Sequence, residues 1–200
     1  MTISTQQIKD LREATGAGML DCKKALEDSN GDYDKALEFL RKKGMAKAEK
    51  REDRETSNGV VDLYSHGEGR VGVMVEVNCE TDFVARTEQF REFAHEMSLQ
   101  VAAASPKWIV PEDVPEEVVA EQRKAAEEMA AAEGKPENIV ERIVEGKLAK
   151  FYDDNCLLRQ EYIRDDSKTV EDLLKETLVS TGEKVVIRRF ARWELGETEG

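Results

Sequence analysis

Val71, Val73, Val75 and Val77 alternate with Gly72, Met74, Glu76 and Asn78. A strict period of two marks a strand with one apolar face and excludes a helix over the same residues. Upstream, Val61 and Leu63 alternate with Asp62 and Tyr64, and His66-Gly67-Glu68-Gly69 supplies turn residues between the two runs. The pair reads as a β-hairpin with an apolar face that includes Val61 and Leu63. A single hairpin is marginal in water, so a third strand is required. Val185-Val186-Ile187-Arg188-Arg189-Phe190-Ala191-Arg192-Trp193 is the candidate.

Everything around this small sheet carries a helical pattern. Ser4 can cap a first helix with Ile8 and Leu11 facing inward, and Gly16 and Gly18 punctuate its end. A second helix spans about Met19 to Asp28, with Met19, Cys22 and Leu26 along one stripe, and Asn30-Gly31-Asp32 is a turn. A third carries Ala36, Leu37 and Leu40 and is expected to stop near Gly44. So short a bundle buries little apolar area, which favours a contact role over a catalytic one. Thr87 can cap a helix bearing Phe90, Phe93, Ala94, Met97 and Val101. Pro115 suits a first helical position, and the helix after it is expected to reach Gly134. Lys135-Pro136 opens the next, with Ile139, Val140, Ile143, Val144, Leu148 and Phe151 on one side. Together these two form a helical hairpin at about 115–153. Thr169 with Asp172 caps a last helix carrying Leu173, Leu174 and Leu178. The expected class is α+β, a three-helix N-terminal bundle followed by a core with a three-stranded antiparallel sheet.

Charge places the boundary between them. Residues 1–56 hold 12 basic and 12 acidic side chains, while 57–200 hold 18 and 31, so the net charge of −13 falls wholly in the second part. Arg41, Lys42, Lys43, Lys47, Lys50, Arg51 and Arg54 form a basic run at the junction that reads as a solvated helix end or linker. Ser57-Asn58-Gly59 then breaks the helical pattern, giving expected domains at 1–55 and 56–200. An acidic chain without a dominant basic stripe is a poor direct nucleic-acid binder. Its apolar runs are too short to span a bilayer, and Met1-Thr2-Ile3-Ser4 lacks the form of a signal peptide. Cys22, Cys79 and Cys156 are spaced for no zinc motif and read as reduced thiols of a cytoplasmic protein.

Catalytic chemistry finds little support. His66 falls in the hairpin turn and His95 on the polar side of a helix, with no nucleophile signature beside either. Gly16-Ala17-Gly18 follows no strand and lacks the lysine of a phosphate loop. An active site whose parts converge only in three dimensions is the open alternative. One segment stands apart. In Glu76-Val77-Asn78-Cys79-Glu80-Thr81-Asp82-Phe83-Val84-Ala85-Arg86 the strand pattern fails near Asn78, yet the capped helix need not begin before Thr87. Between them Asp82-Phe83 stands on a turn leaving the sheet. An exposed aromatic beside a carboxylate can fill a partner's pocket; ordinary core packing of Phe83 is the equal alternative.

The stretch Glu76–Arg86, with Thr81-Asp82-Phe83-Val84, resembles the signature of the bacterial elongation factor Ts family. The stretch Leu11–Leu26 is similar to that family's N-terminal signature, and Gly134-Lys135-Pro136, Glu145–Leu148, Ser167–Val170 and Arg188–Gly196 extend the likeness along the chain. The resemblance implies a guanine-nucleotide exchange factor for elongation factor Tu, a non-enzyme with no metal or cofactor of its own that acts on the magnesium and GDP held by its partner, with an N-terminal module similar to ubiquitin-associated (UBA-like) bundles. Arg12, Met19, Leu20 and Lys23 then fall where partner contacts are expected, while Leu11 and Leu26 hold the bundle together. Thr81, Asp82, Phe83 and Val84 fall on an intruding turn that wedges near the partner's magnesium site. The chain is similar to single-core members, which implies a homodimer through the sheets. Gln100 stands where longer members carry histidine. The rival reading is a non-enzymatic adaptor that binds partners through the N-terminal bundle, for which Asp82-Phe83 would have no use.

Overall fold

The computed structural model describes residues 3–49, 51, 53–134 and 136–197. Met1, Thr2, Lys50 and Lys135, all named in the sequence reading, lie outside the described residues. Among those described, the residues up to Ser98 together with Asp172 onward form one compact unit, and Leu99–Glu171 form a second.

The first unit begins with three helices, α1 (Thr5–Thr15), α2 (Met19–Asp28) and α3 (Tyr33–Glu49). Ser4 and Gln7 make a reciprocal capping box at the start of α1, and Gly16, at φ 63°, ends it with an N–H bond to the Arg12 carbonyl. Leu11, Cys22, Ala25, Leu26, Ala36 and Leu40 are the bundle's buried core. The third helix does not stop at Gly44. That glycine keeps a helical backbone, and a Cβ there would lie 2.5 Å from a Val179 methyl. Its place therefore reflects close packing and not a helix end. Alanine and lysine after it are good helix formers, which carry α3 on to Glu49.

The sheet runs in the order β1-β2-β5, all antiparallel, from Asn58–His66, Val71–Cys79 and Val185–Glu194. Val71, Val73, Val75, Val77 and Cys79 form the buried face of β2. Register assigns the opposite side of β1 to the interior from the one expected. Val60, Asp62 and Tyr64 pair with the inward valines, whereas Val61 and Leu63 pair with Glu76 and Met74 and stand exposed. Tyr64 donates or accepts a 2.9 Å hydrogen bond with His66 and packs edge-on against His95, whose Nδ1 lies 3.2 Å from Asp62. His95 thereby brings this side of β1 against α5 (Glu88–Ala104), whose Phe90, Phe93, Ala94 and Met97 are buried. Between β2 and α5 the chain forms a single helical turn, α4 (Asp82–Ala85), where an irregular turn is expected from sequence. The last helix, α8 (Val170–Thr181), delivers the chain to β5.

In the second unit α6 (Glu116–Ala132) and α7 (Glu137–Asn155) form the expected helical hairpin, with Ala126, Val144 and Leu148 buried between them. Pro115 caps α6 instead of occupying its first turn. An unforeseen two-stranded ribbon, β3 (Glu161–Tyr162) with β4 (Asp165–Thr169), follows α7. Gln100 is fully buried and holds that ribbon. Its amide donates to Gln160 and to the Glu161 carbonyl and accepts from the Ile163 N–H at 2.9 Å. The fold is α+β.

Candidate functional site

The strand β2 ends where Cys79 turns inward and its thiol donates to the Thr81 carbonyl at 3.1 Å. Thr81 is extended and caps α4, its hydroxyl accepting the Val84 N–H. The same hydroxyl donates to Glu183 at 2.6 Å, and the Thr81 N–H donates to the other Glu183 oxygen at 3.0 Å. Ala85 is buried and Val84 half-buried, so the helical turn is seated on one side only. Its other side carries Phe83, 83% exposed. Asp82 is ion-paired to Arg86 at 2.8 Å across one turn, both side chains largely in solvent. A phenyl ring that is 83% exposed on a pinned backbone is not core packing, which removes that alternative for Phe83.

A second exposed group stands on the bundle. Gly16 and Gly18 join α1 to α2 so that the last turn of α1, with Arg12, adjoins the first turn of α2. Met19 is 40% and Leu20 83% exposed. Lys23 follows them by one turn, shares their side of the helix and pairs loosely with Glu27 at 3.7 Å. Lys43 of α3 holds Asp21 at 2.8 Å and so braces the same end. Leu11 and Leu26 are fully buried beneath. Arg12, Met19, Leu20 and Lys23 thus share one end of the bundle, while Thr81, Asp82, Phe83 and Val84 share α4.

The outer face of the sheet is the third exposed apolar area. Leu63, Met74 and Ala191 lie in one row, and Trp193 stands beside Gly72. Sequence reasoning missed this surface because it assigned Val61 and Leu63 to the interior. Glu76 and Arg189 form a 2.7 Å ion pair on the same face, next to Val61.

The three cysteines are buried thiols. Burial pushes the Cys156 thiol up to about 11, with the Asp113 carboxylate adding to it and Arg159 opposing. Cys22 and Cys79 are likewise raised by burial. Among the described residues, no group of three or more His, Cys, Asp or Glu is arranged to hold a metal, and no helix is long and apolar enough to cross a membrane.

The arrangement offers surfaces for a protein partner. Comparison with known proteins identifies the family. A family model described as Elongation factor TS matches residues 40–197. The chain is 58% identical to elongation factor Ts of Caldanaerobacter subterraneus subsp. tengcongensis over 195 residues, covering 98% of both chains. It is 54% identical to that of Moorella thermoacetica, covering 98% of this chain and 96% of the relative, and 49% identical to that of Thermosipho melanesiensis, covering 98% and 100%. Matches of this extent, spanning both the bundle and the Thr81–Val84 turn, place the chain in the elongation factor Ts family of translation elongation factors.

Proposed function

We propose that the chain is a guanine-nucleotide exchange factor for elongation factor Tu, acting in the cytoplasm during translation elongation. The bundle end bearing Arg12, Met19, Leu20 and Lys23 docks on the GTPase, and Asp82-Phe83 intrudes near its magnesium site. The observation that carries this reading is Phe83, 83% exposed on a helical turn whose base is fixed by Glu183 and Cys79.

The physics requires no bond making or breaking. Magnesium demands near-octahedral oxygen ligation at short distances and bridges nucleotide phosphates to the GTPase. A small displacement of its ligands loosens the metal, and GDP with it. Burial of the Phe83 ring in the partner contributes roughly 1.5–3 kcal/mol, and about 1.4 kcal/mol is a tenfold change in an equilibrium. Linkage makes the effect reciprocal: the nucleotide weakens the factor as much as the factor weakens the nucleotide. The factor is therefore no enzyme and needs no cofactor; it acts on the metal and GDP held by its partner.

The exposed outer sheet face supports a homodimer built through β1, β2 and β5, in which two copies supply two wedges. The test of the exchange reading is release of labelled GDP from purified elongation factor Tu. The native chain is expected to accelerate it, and Phe83→Ala to lose about 10- to 150-fold in efficiency with its circular dichroism unchanged. Release at the uncatalysed rate in the presence of the native chain would refute it.

A further inference from the structure

Glu80 lies one residue before the cap of α4 and is the point where three separate parts of the first unit meet. Its side chain is only 10% exposed. One carboxylate oxygen accepts from Arg51 Nη1 at 3.1 Å and from the Lys184 backbone N–H at 2.7 Å, and the other accepts from Arg54 Nη1 at 2.8 Å. Its own carbonyl accepts from Asn58 Nδ2 at 3.0 Å. Lys184 Nζ closes the ring by donating to the Arg54 carbonyl at 3.2 Å. Burial alone would raise the pKa of this carboxyl, but the Lys184 N–H and the two guanidiniums outweigh it and hold the group below the usual range. The carboxylate is thus charged throughout the neutral range.

The basic run that reads as a solvated connector is therefore fastened at Arg51 and Arg54. The residue next to Lys184 is Glu183, which grips Thr81. A few residues earlier, the end of α8 meets the bundle. A Cβ on Gly16 would lie 2.3 Å from Ser180 Cβ, and one on Gly44 would lie 2.5 Å from a Val179 methyl. Within residues 179–184 the chain touches the bundle on one side and the base of the wedge on the other. Glu80 ties the linker into the same knot.

We infer that Glu80 is a positioning residue for nucleotide exchange: it latches the linker to the base of α4, so that the bundle's docking surface and Phe83 reach the partner as one rigid body. This rests on the exchange reading above and adds to it a second requirement, that the two contacts be geometrically coupled. Two contacts joined by a loose tether engage at an effective concentration set by the tether, whereas a stiff junction of matching span keeps the second contact aimed once the first has formed. A wedge displaced by even about 1 Å from its productive place can lose on the order of 100-fold in rate.

The test is GDP release from elongation factor Tu over a range of factor concentrations, with the full chain as native, Glu80→Gln, Phe83→Ala and the double variant. Glu80→Gln is expected to lower the maximal release rate by about 10- to 100-fold, with the half-saturating concentration little changed and the thermal transition retained. Because the latch acts through Phe83, Glu80→Gln is expected to cost little further in the Phe83→Ala background, measured where that variant still exceeds the uncatalysed rate. Should Glu80→Gln fold poorly, Arg51→Gln combined with Arg54→Gln removes the linker from the latch while leaving Glu80 its Lys184 bond, and the same non-additive loss is expected. A native maximal rate in a folded latch variant, or losses that simply multiply in the double variant, overturns the inference while leaving the exchange reading intact. Inactivity of the native chain itself would instead overturn that reading.

Discussion

Leu63→Glu is the sharpest probe of the outer sheet face. Leu63 is 70% exposed, with Val61 at 55%, Met74 at 39% and Trp193 at 58% around it. Complete burial of a leucine side chain is worth about 1.5–3 kcal/mol. With 70% of the residue still exposed, about 1–2 kcal/mol remains to be gained per protomer when the face is covered. A two-fold interface uses each residue twice, so the substitution removes about 2–4 kcal/mol from dimerisation. That corresponds to roughly 30- to 1000-fold weaker association. Burying two carboxylates without partners adds to the loss. Monomer stability should stay within about 1 kcal/mol, because the side chain contributes little to the core it leaves. Sedimentation velocity across a concentration series reads both species. The native chain is expected as a dimer and Leu63→Glu as a monomer with unchanged circular dichroism. A native chain that stays monomeric at all concentrations, or a variant that dimerises as well as native, refutes the reasoning.

Two further outcomes follow from packing and from burial. Gly44→Ala would ordinarily stabilise a helix by about 1 kcal/mol, but here the new methyl would lie 2.5 and 2.7 Å from the two Val179 methyls. The expected sign is therefore a loss, about 1–3 kcal/mol of overpacking against that gain; chemical denaturation should show it, and Val179→Ala in the same chain should relieve it. Greater stability in Gly44→Ala alone would contradict the contact. Cys156 titrates at about 11 in the fold against an ordinary 9.0. The unfolded chain therefore releases this proton first, so its contribution to stability is complete below pH 9.0 and is lost as pH rises toward about 11. Melting temperature measured across that range should fall less steeply in Cys156→Ala than in the native chain, and equal slopes would refute the assignment.

How much of this was legible in the sequence depends on the range of the signal. The valine alternation of β2 gave its buried face directly, because a period of two survives without any partner. The third strand was legible as well, although more than 100 residues separate Cys79 from Val185. The orientation of β1 was not. Alternation defines two faces but does not say which is inner, and here Asp62 and Tyr64 take the inner side, where His95 of α5 meets both. The helical turn Asp82–Ala85 is too short to show a period. The β3–β4 ribbon is polar, held by Gln100 in place of an apolar face, and left no hydrophobic pattern to read. Of the candidate site, Asp82-Phe83 was visible as a break in pattern. Its supports were not, since Thr81 to Glu183 and Glu80 to Lys184 are pairings across about a hundred residues that no local spacing announces.

In the proposed exchange, the exposed side chains also divide the labour. A binding partner can shift an equilibrium only by its differential affinity for the two states. Contacts made by Leu20 and its neighbours on a surface that is alike in nucleotide-bound and empty GTPase tighten both complexes equally, and they cancel from the ratio that governs GDP release. Only a group whose pocket exists when the magnesium site is disturbed contributes to that ratio, and on this chain the proposed group is Phe83. On the proposed reading, the bundle end and the wedge therefore cannot substitute for one another: the first would set how often the complex forms, the second what forming it does to the nucleotide. Such a division works only when docking by the first delivers the second at a fixed distance and angle. On the inference above, the buried carboxylate of Glu80, with Arg54 on one oxygen and both Arg51 and the Lys184 N–H on the other, supplies that geometry without enlarging either contact.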